Sequence, residues 1–246
     1  MPDRPTSSTR AAAPSRGHAV DHGLPTEEQR RTGRPRAAAR RVTGDPVDEI
    51  LAAASHLFGE LGVGGTTMSR IAKEVGLRQS SLYYYFSRKE EILAALVARA
   101  NVLSLELIQR IVADGGAPEV QLYRFVRGDV MALCALPFDI NEIHRVAARD
   151  PESFATYWDE RTAMERHISR IVRKGIAEGV FRDVHVRRAA LTVLSNDEGV
   201  QNWYRVGKPG PTERIADEVA DQSVGGLLTG ATALPDVRAR ALAAEA

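Results

Sequence analysis

The chain of 246 residues is long enough to bury a full hydrophobic core, and its 43% hydrophobic content is ordinary for a globular protein. A single cysteine, Cys134, excludes an internal disulfide, and no apolar run approaches the roughly 20 residues of a membrane span. The N-terminus lacks the apolar core of a signal peptide, so we expect a cytoplasmic protein with no membrane partner. The net charge of +1 does not by itself favour a nucleic-acid partner.

Positive charge is nevertheless concentrated in two segments. Residues 1–44 hold nine arginines and four acidic residues, a net charge of about +5 that leaves about −4 for the remainder. Residues 69–89 hold five basic side chains and one acidic side chain. A locally basic surface on a nearly neutral chain is the pattern expected of a DNA-binding protein.

The segment 1–44 is rich in Pro, Ser, Thr, Arg and Gly and lacks apolar periodicity, which predicts a disordered basic arm. Within it, the strip Gly33-Arg34-Pro35-Arg36 is narrow and has no acidic neighbour. We therefore expect Arg34 and Arg36 to enter the minor groove of DNA, where a narrow A·T-rich groove attracts arginine.

Apolar spacing predicts an amphipathic first helix after Asp45 and Pro46, which supply a capping carboxylate and a proline for the first turn. Gly62 is expected to end this helix. Thr66 or Thr67 is expected to cap a second helix and to bond a DNA phosphate from the helix N-terminus.

A third short helix is predicted over residues 78–86, after a turn at Gly76. A helix, a tight glycine turn and a second helix are how many proteins place a helix in the major groove. Leu82 would face the core, and the opposite side carries hydroxyl and phenol groups that can bond to phosphates and base edges. These groups belong to Ser80, Ser81, Tyr83 and Tyr84.

Two residues at the start of this helix, Arg78 and Gln79, are the expected base readers, because guanidinium and amide groups can make bidentate contacts. Tyr84 and Lys89 are expected near phosphates. Ser87 is expected to cap a fourth helix in a capping box with Glu90.

Residues 65–96 resemble the DNA-reading module of the tetracycline-repressor (TetR) family. The resemblance rests on the joint spacing of residues that are individually common: Thr66-Thr67, Ile71-Ala72, Gly76, Leu82-Tyr83, Phe86 and Lys89-Glu90 with Leu93. It is specific across about residues 46–96, and it departs from the family at Arg78, where a capping Ser or Thr is usual.

The resemblance implies an all-α fold. An N-terminal three-helix, helix-turn-helix DNA-binding domain would span residues 45–92, and a larger helical regulatory and dimerisation domain would span residues 93–230. Apolar periodicity independently predicts only helices beyond the module, with starts near 118, 139, 151, 183 and 212. Residues 231–246 are Ala-rich and are expected to form a loosely attached tail.

The resemblance further implies a homodimeric repressor that binds double-stranded DNA at a partly palindromic operator. In this family the last two long helices of each subunit pair into a four-helix bundle. Here those helices would cover about residues 186–204 and 212–229, and the second carries small residues that permit close contact.

The regulatory half is larger than dimerisation requires, which favours a cavity for a small, mostly hydrophobic effector. Candidate lining residues are the semi-polar side chains on otherwise apolar helices: Tyr123, Cys134, His144, Trp158, His167 and Asn196. Trp158 and His167 lie nine residues apart and face opposite ways, and Trp158 is the preferred contact. The alternative is a DNA-binding regulator without a small-molecule ligand, controlled by a protein partner.

An enzyme is not expected, and neither a cofactor nor a metal is predicted. The six histidines are scattered, and Gly62-Val-Gly-Gly65 lacks the spacing of a dinucleotide-binding loop and follows a helix. The stretch Asn196-Asp197-Glu198 is interpreted as a surface or an internally satisfied polar contact.

Overall fold

The computed structural model describes residues 45–204 and 212–245. Within these ranges the regular structure is helical, apart from an isolated bridge between Phe181 and Leu228. No helix in these ranges is long and apolar enough to cross a membrane. The predicted basic arm, with Arg34 and Arg36, lies outside the described residues.

The N-terminal module, over residues 45–85, is built from three helices: α1 (Pro46–Gly65), α2 (Met68–Val75) and α3 (Gln79–Tyr85). The Asp45 carboxylate accepts a hydrogen bond from the Val47 N–H at 2.8 Å, so the predicted cap is confirmed. Gly62 has φ 70° and ψ 165°, which breaks the regular part of α1 before a last turn that continues to Gly65. Gly76 adopts the left-handed conformation with φ 77° and ends α2, as the turn between two helices requires.

A compact core holds the module together. Ile50 and Ala54 of α1, Ile71 of α2 and Leu82 of α3 are fully buried, and Ile92 of the next helix joins them. Because α3 has only seven residues, its position depends on this burial more than on helix propensity.

Beyond the module, the described ranges contain seven further α-helices: α4 (Lys89–Asp114), α5 (Pro118–Ala135), α6 (Ile140–Ala147), α7 (Ala155–Ala177), α8 (Val186–Gly199), α9 (Thr212–Gly225) and α10 (Leu234–Ala243). Helix α5 is central, since it packs against α4, α7, α8, α9 and α10. Helix α4 packs against both α1 and α7, so one rigid element joins the module to the larger helical half.

Three predicted helix ends were wrong. The cap before α4 does not pair Ser87 with Glu90: Ser87 donates its hydroxyl to Glu91 Oε1 at 2.6 Å and its N–H to Glu91 Oε2 at 2.9 Å. The register shifts because α4 begins at Lys89, one residue later than the capping box requires. Helix α7 begins at Ala155, after a turn over residues 151–154, instead of near residue 151. Helix α8 begins at Val186 instead of near residue 183.

The C-terminal segment is also different from the prediction of a loosely attached tail. Residues Leu234–Ala243 form α10, whose Val237 and Ala241 are fully buried against α5 and α9. Arg240 adds an ion pair to the buried Glu119 of α5 at 2.6 Å. The prediction from Ala-rich composition overlooked the i, i+4 spacing of Val237 and Ala241, which form the buried face of an amphipathic helix.

Candidate nucleic-acid interface and central cavity

Helix α3 displays an exposed face of phenol, hydroxyl and amide groups. Tyr84 is 85% exposed and Tyr83 is 46% exposed, whereas Leu82 on the core side is fully buried. Gln79 and Ser80 are exposed at the N-terminal end of the helix, and Gln79 Nε2 lies 3.5 Å from the Tyr83 hydroxyl. An exposed tyrosine on a short helix with a buried opposite face is suited to contact with another molecule.

Arg78 and Ser81 complete the predicted contact surface. Arg78 precedes α3 without making a side-chain cap, and among the described residues its guanidinium makes no hydrogen bond or ion pair. Ser81 is only partly exposed, so its hydroxyl is less accessible than that of Ser80. Arg78 is therefore free to reach an anionic partner, as the missing Ser or Thr cap suggested.

The two neighbouring threonines have different roles. Thr67 is the N-cap of α2 and accepts a hydrogen bond from the Arg70 N–H at 3.3 Å, and its side chain is exposed at the helix N-terminus. Thr66 is 1% exposed, and its hydroxyl bonds to the carbonyl oxygens of Leu57 at 3.1 Å and Gly62 at 2.9 Å. The expectation that either threonine could contact a phosphate therefore applies to Thr67 alone.

Lys89 lies at the start of α4 with its ammonium group turned toward the end of α1. Its Nζ donates to the carbonyl oxygens of Val63 at 2.6 Å and Thr66 at 3.1 Å. Carbonyl oxygens at the end of a helix lack helical partners and need another donor. The structure therefore gives Lys89 a capping role that the expectation of a phosphate contact did not include.

The module touches the larger half through α1 as well as through α4. A Cβ atom at Gly59 would collide with the Pro137 carbonyl oxygen, so α1 lies directly against the connection between α5 and α6. Nearby, the Val63 N–H points to the Glu142 carboxylate of α6 at 3.4 Å. A movement of α6 would therefore displace the end of α1.

The six residues expected to line an effector cavity do not share one cavity, although two of them, His144 and Trp158, lie against each other. The Tyr123 hydroxyl donates to Asp221 Oδ1 at 2.9 Å and belongs to the contact between α5 and α9. Burial and this carboxylate raise the pKa of Tyr123. Asn196 Nδ2 lies 3.4 Å from Ser223 Oγ in a groove between α8 and α9.

The other four are also divided. Cys134 lines a cavity beside α1, and burial raises its pKa to about 11. His167 lines a groove near the C-terminal end of α4. His144 stacks on Trp158 with ring centroids 5.9 Å apart, so the imidazole and indole contact each other rather than a shared cavity. The semi-polar character of these residues was therefore not sufficient to predict which of them line the same cavity.

A different cavity of about 210 Å³ lies where α4, α5, α7 and α8 meet. Most of its wall is apolar, including Leu133, Leu136, Ile140, Met164 and Leu194. Its polar side chains are Asn101, Ser104, Asp129 and Glu198. An apolar cavity with a few polar groups is the usual form of a small-molecule site.

The acids that line this cavity, Asp129 and Glu198, and the neighbouring Asp197 have perturbed pKa values. Burial raises the pKa of Asp129 to about 6, against the opposing effect of a 2.5 Å hydrogen bond from Ser104. Burial also raises the pKa of Glu198 to about 7, although Arg161 bonds both of its carboxylate oxygens. Asp197 is fully buried, and burial together with Asp129 holds its pKa well above the usual range.

Sequence reasoning missed this acidic group. Asp197 and Glu198 were interpreted as a surface or a satisfied polar contact, yet both Asp197 oxygens are buried without a hydrogen-bond partner among the described residues. The available signal was register: Asp197 follows Val193 and Leu194 at the spacing of the buried face of α8. A carboxylate at a core position of a helix is unusual enough to indicate a functional site.

The histidine nearest to these acids is His144 of α6. Its Nε2 lies 3.7 Å from Glu198 Oε1. Burial and the charge of Arg161 lower the pKa of His144 to about 4, which keeps the imidazole uncharged near neutral pH. Within residues 45–204 and 212–245, no cluster of three potential metal-ligating side chains occurs.

Comparisons with known proteins agree with this architecture in both halves. The family model described as bacterial regulatory proteins, tetR family, matches residues 50–96. A second model, described as a tetracyclin repressor-like C-terminal domain, matches residues 115–227. Together these matches cover most of α1, all of α2 and α3, the start of α4 and the helices α5–α9.

The individual relatives that match most of the chain have low sequence identity to it. The HTH-type transcriptional repressor KstR2 of Mycobacterium tuberculosis is 25% identical over 185 residues, which cover 73% of this chain and 91% of that protein. The solved structure of PfmR from Thermus thermophilus is 28% identical with a TM-score of 0.65, over 73% of this chain and 99% of that chain.

A third structure is AibR in complex with isovaleryl coenzyme A and operator DNA. It has a TM-score of 0.63 and 22% identity, over 74% of this chain and 97% of that chain. At this identity the similarity concerns the fold alone.

Proposed function

We propose, from the premise that this chain belongs to the tetR family of bacterial regulatory proteins, that it is a dimeric repressor released from its operator by a small effector. Proteins of this family regulate transcription by binding DNA and are not enzymes. The observation that carries the proposal is the exposed polar face of α3, with Tyr84 85% exposed above a fully buried Leu82. Binding chromosomal DNA would place the protein in the cytoplasm.

In this proposal α3 enters the major groove, and Arg78, Gln79 and Ser80 read base edges at its N-terminal end. Thr67 and Tyr84 contact phosphates. The arm residues Arg34 and Arg36 add contacts in the adjacent minor groove. Phosphate contacts fix the position of the helix, and base contacts give the sequence preference.

Helices α8 and α9 are the proposed dimer interface. Leu191 of α8 is 37% exposed, and a groove between the two helices combines apolar side chains such as Ala189 and Leu227 with polar ones such as Arg188. The other small residues of α9 have a different role, since Ala216 and Ala220 are fully buried within the same chain. The exposed side of the pair is thus the surface left for a second copy.

Release follows if the effector binds better to a form whose two reading helices are wrongly spaced. The cavity contacts α4 at Asn101 and Ser104 and α6 at Ile140. Both helices reach the module, α4 through Lys89 and α6 through Glu142. Filling the cavity would therefore move α1 and the start of α4 together.

The test uses the full-length chain and a fluorescent duplex that carries the DNA flanking its own gene. We expect saturable, sequence-dependent binding at moderate salt, with two chains or a multiple of two per duplex by light scattering. A scrambled duplex of equal length is the control. Equal binding to both duplexes would contradict operator recognition. If no metabolite releases the protein from the operator duplex, control by a protein partner becomes the better account.

A further inference from the structure

We propose that the cavity between α4, α5, α7 and α8 binds a small organic cation, an ammonium or amidinium group carried on a short apolar body. This inference rests on the proposed function, because it names the chemistry of the effector at the same cavity. It narrows the expectation of a mostly hydrophobic effector by assigning a positive charge to its polar end.

The first reason is an excess of carboxyl groups over cations. Asp129 on α5 and Asp197 and Glu198 on α8 lie close enough that Asp129 raises the pKa of both others. Among the described residues, Arg161 is the guanidinium that reaches this group, and both of its terminal nitrogens bond to Glu198. Within that part of the chain, two carboxyl groups are therefore left without a bonded cationic partner.

The second reason is the state of Asp197. Its side chain is fully buried, and neither carboxylate oxygen has a hydrogen-bond partner among the described residues. A buried carboxyl group without partners costs folding free energy, because it gives up hydration and gains nothing in return. Asp197 is not among the residues that line the cavity, whereas Asp129 and Glu198 are, so a cation bound there would stabilise the charge of Asp197 through space.

Other charged groups around the cluster do not supply the missing charge. On α7, Glu160 adds a further carboxyl group whose Oε2 is buried with no partner in the described ranges. On α6, His144 is held uncharged by burial and by Arg161. A ligand carboxylate or phosphate would enter an acidic site whose guanidinium is already paired, so an anionic effector is disfavoured.

The third reason is size and lining. A cavity of about 210 Å³ lies below the usual range for drug-sized ligands, roughly 300–1,000 Å³. The apolar wall includes Leu136, Ile140 and Met164, and it would cover a short hydrocarbon chain. An apolar wall beside unpaired carboxyl groups fits a small amphiphilic cation.

Proton linkage gives this proposal a specific signature. The pKa values of Asp129 and Glu198 are raised to about 6 and about 7 in the unliganded protein. A bound cation favours the ionised carboxylates, so binding would release protons and the affinity would rise with pH across this range. A neutral ligand would lack this coupling.

The experiment compares n-hexylammonium, n-hexanol and n-hexanoate, which share one chain length and differ in charge. Binding to the full-length protein is measured by calorimetry in two buffers of different ionisation enthalpy, and operator release is measured in parallel by fluorescence anisotropy. We expect hexylammonium to bind at least about tenfold more tightly than hexanol, with proton release, and hexanoate not to bind.

Two isosteric variants locate the site. Asp197→Asn and Asp129→Asn each remove one negative charge, and each should weaken hexylammonium binding about tenfold or more. Because the second variant tests the same site from another helix, the inference stays testable if one of them folds poorly. Asp159→Asn changes an exposed acid on α7 and is the matched control.

The outcomes separate the two proposals. Preferential binding of hexanol or hexanoate, binding of none of the three, or hexylammonium binding unaffected by both variants would overturn the cation inference. Hexylammonium binding that depends on Asp197 and Asp129 would support it. If such binding leaves the operator complex unchanged, the cation site stands and effector-controlled release is contradicted.

Discussion

Arg88, in the link between α3 and α4, forms an ion pair with Asp150 of the larger half, with 2.8 Å between Arg88 Nη1 and Asp150 Oδ2. Arg88 immediately precedes α4, and Asp150 follows α6. The same guanidinium also bonds to the Ser153 hydroxyl. Hydrogen bonds from Ser153 and the charge of Arg88 hold the pKa of Asp150 below its usual range, so the carboxylate is charged at neutral pH.

This pair should help to set the orientation of the reading helix. We expect Arg88→Gln and Asp150→Asn to change operator affinity in the same direction, because each removes this ion pair. Arg88→Gln should have the larger effect, because it also removes the guanidinium contacts with Ser153 and Glu91. The double variant should be no worse than the more affected single variant. Anisotropy titrations give the affinities, and Arg214→Gln, which breaks an exposed pair within α9, is the control. Additive effects of the two changes would show that they act independently.

Tyr84 should matter for DNA binding and not for folding. Because its side chain is 85% exposed, Tyr84→Ala should leave the free energy of unfolding within about 0.5 kcal/mol of wild type. Operator affinity should fall about tenfold if the hydroxyl and ring contact DNA. Leu82→Ala is the contrasting variant, since removal of this fully buried side chain should cost roughly 2–5 kcal/mol of stability. Unchanged operator affinity in Tyr84→Ala would remove Tyr84 from the interface.

Lys89→Ala should destabilise the protein because the Thr66 carbonyl oxygen loses the ammonium donor and the Val63 carbonyl oxygen keeps only a long hydrogen bond from the Thr66 N–H. The expected loss is roughly 1–3 kcal/mol by urea unfolding. The salt dependence of operator binding distinguishes this capping role from a phosphate contact, which would lower the slope by about one unit. We expect Lys89→Ala to change this slope by well below one unit. Lys73→Ala, on the exposed side of α2, is the control for loss of a positive charge.

Asp129 should make the stability of the protein depend on pH. Its pKa is raised to about 6 in the folded state, so its ionisation opposes folding as the pH rises from about 4 to about 6. Asp129→Asn removes this ionisation and keeps an acceptor for Ser104. Relative to wild type, the variant should gain roughly 1–3 kcal/mol in unfolding free energy between pH 4 and pH 7. Parallel pH profiles for the two proteins would contradict the raised pKa.

The structure of the N-terminal module was largely predictable because the sequence features that determine it are local. Asp45 and Pro46 start α1, Gly76 turns the chain between α2 and α3, and the spacing of Leu82 buries one side of α3. Each of these effects acts within one helical turn, so neighbouring residues suffice to predict them. The error at Ser87 was a shift of one residue, which local rules do not resolve.

Two features required knowledge of which helices become neighbours. The predicted tail proved to be α10, because Val237 and Ala241 are buried by α5 and α9 rather than left in solvent. Likewise, Tyr123, Cys134 and Asn196 have suitable chemistry for a cavity but face different helix contacts. Residue type indicates what a side chain can do and does not indicate which partner it meets.

The sequence by itself therefore determined the helical class, the helix-turn-helix module and the polar face of α3, since periodicity and caps depend on residues within one or two turns. Only the tertiary structure decided that Asp129 on α5 meets Asp197 and Glu198 on α8 beside a cavity. These acids lie far apart along the chain, and only the packing of α5 against α8 brings the carboxyl groups into range of one another.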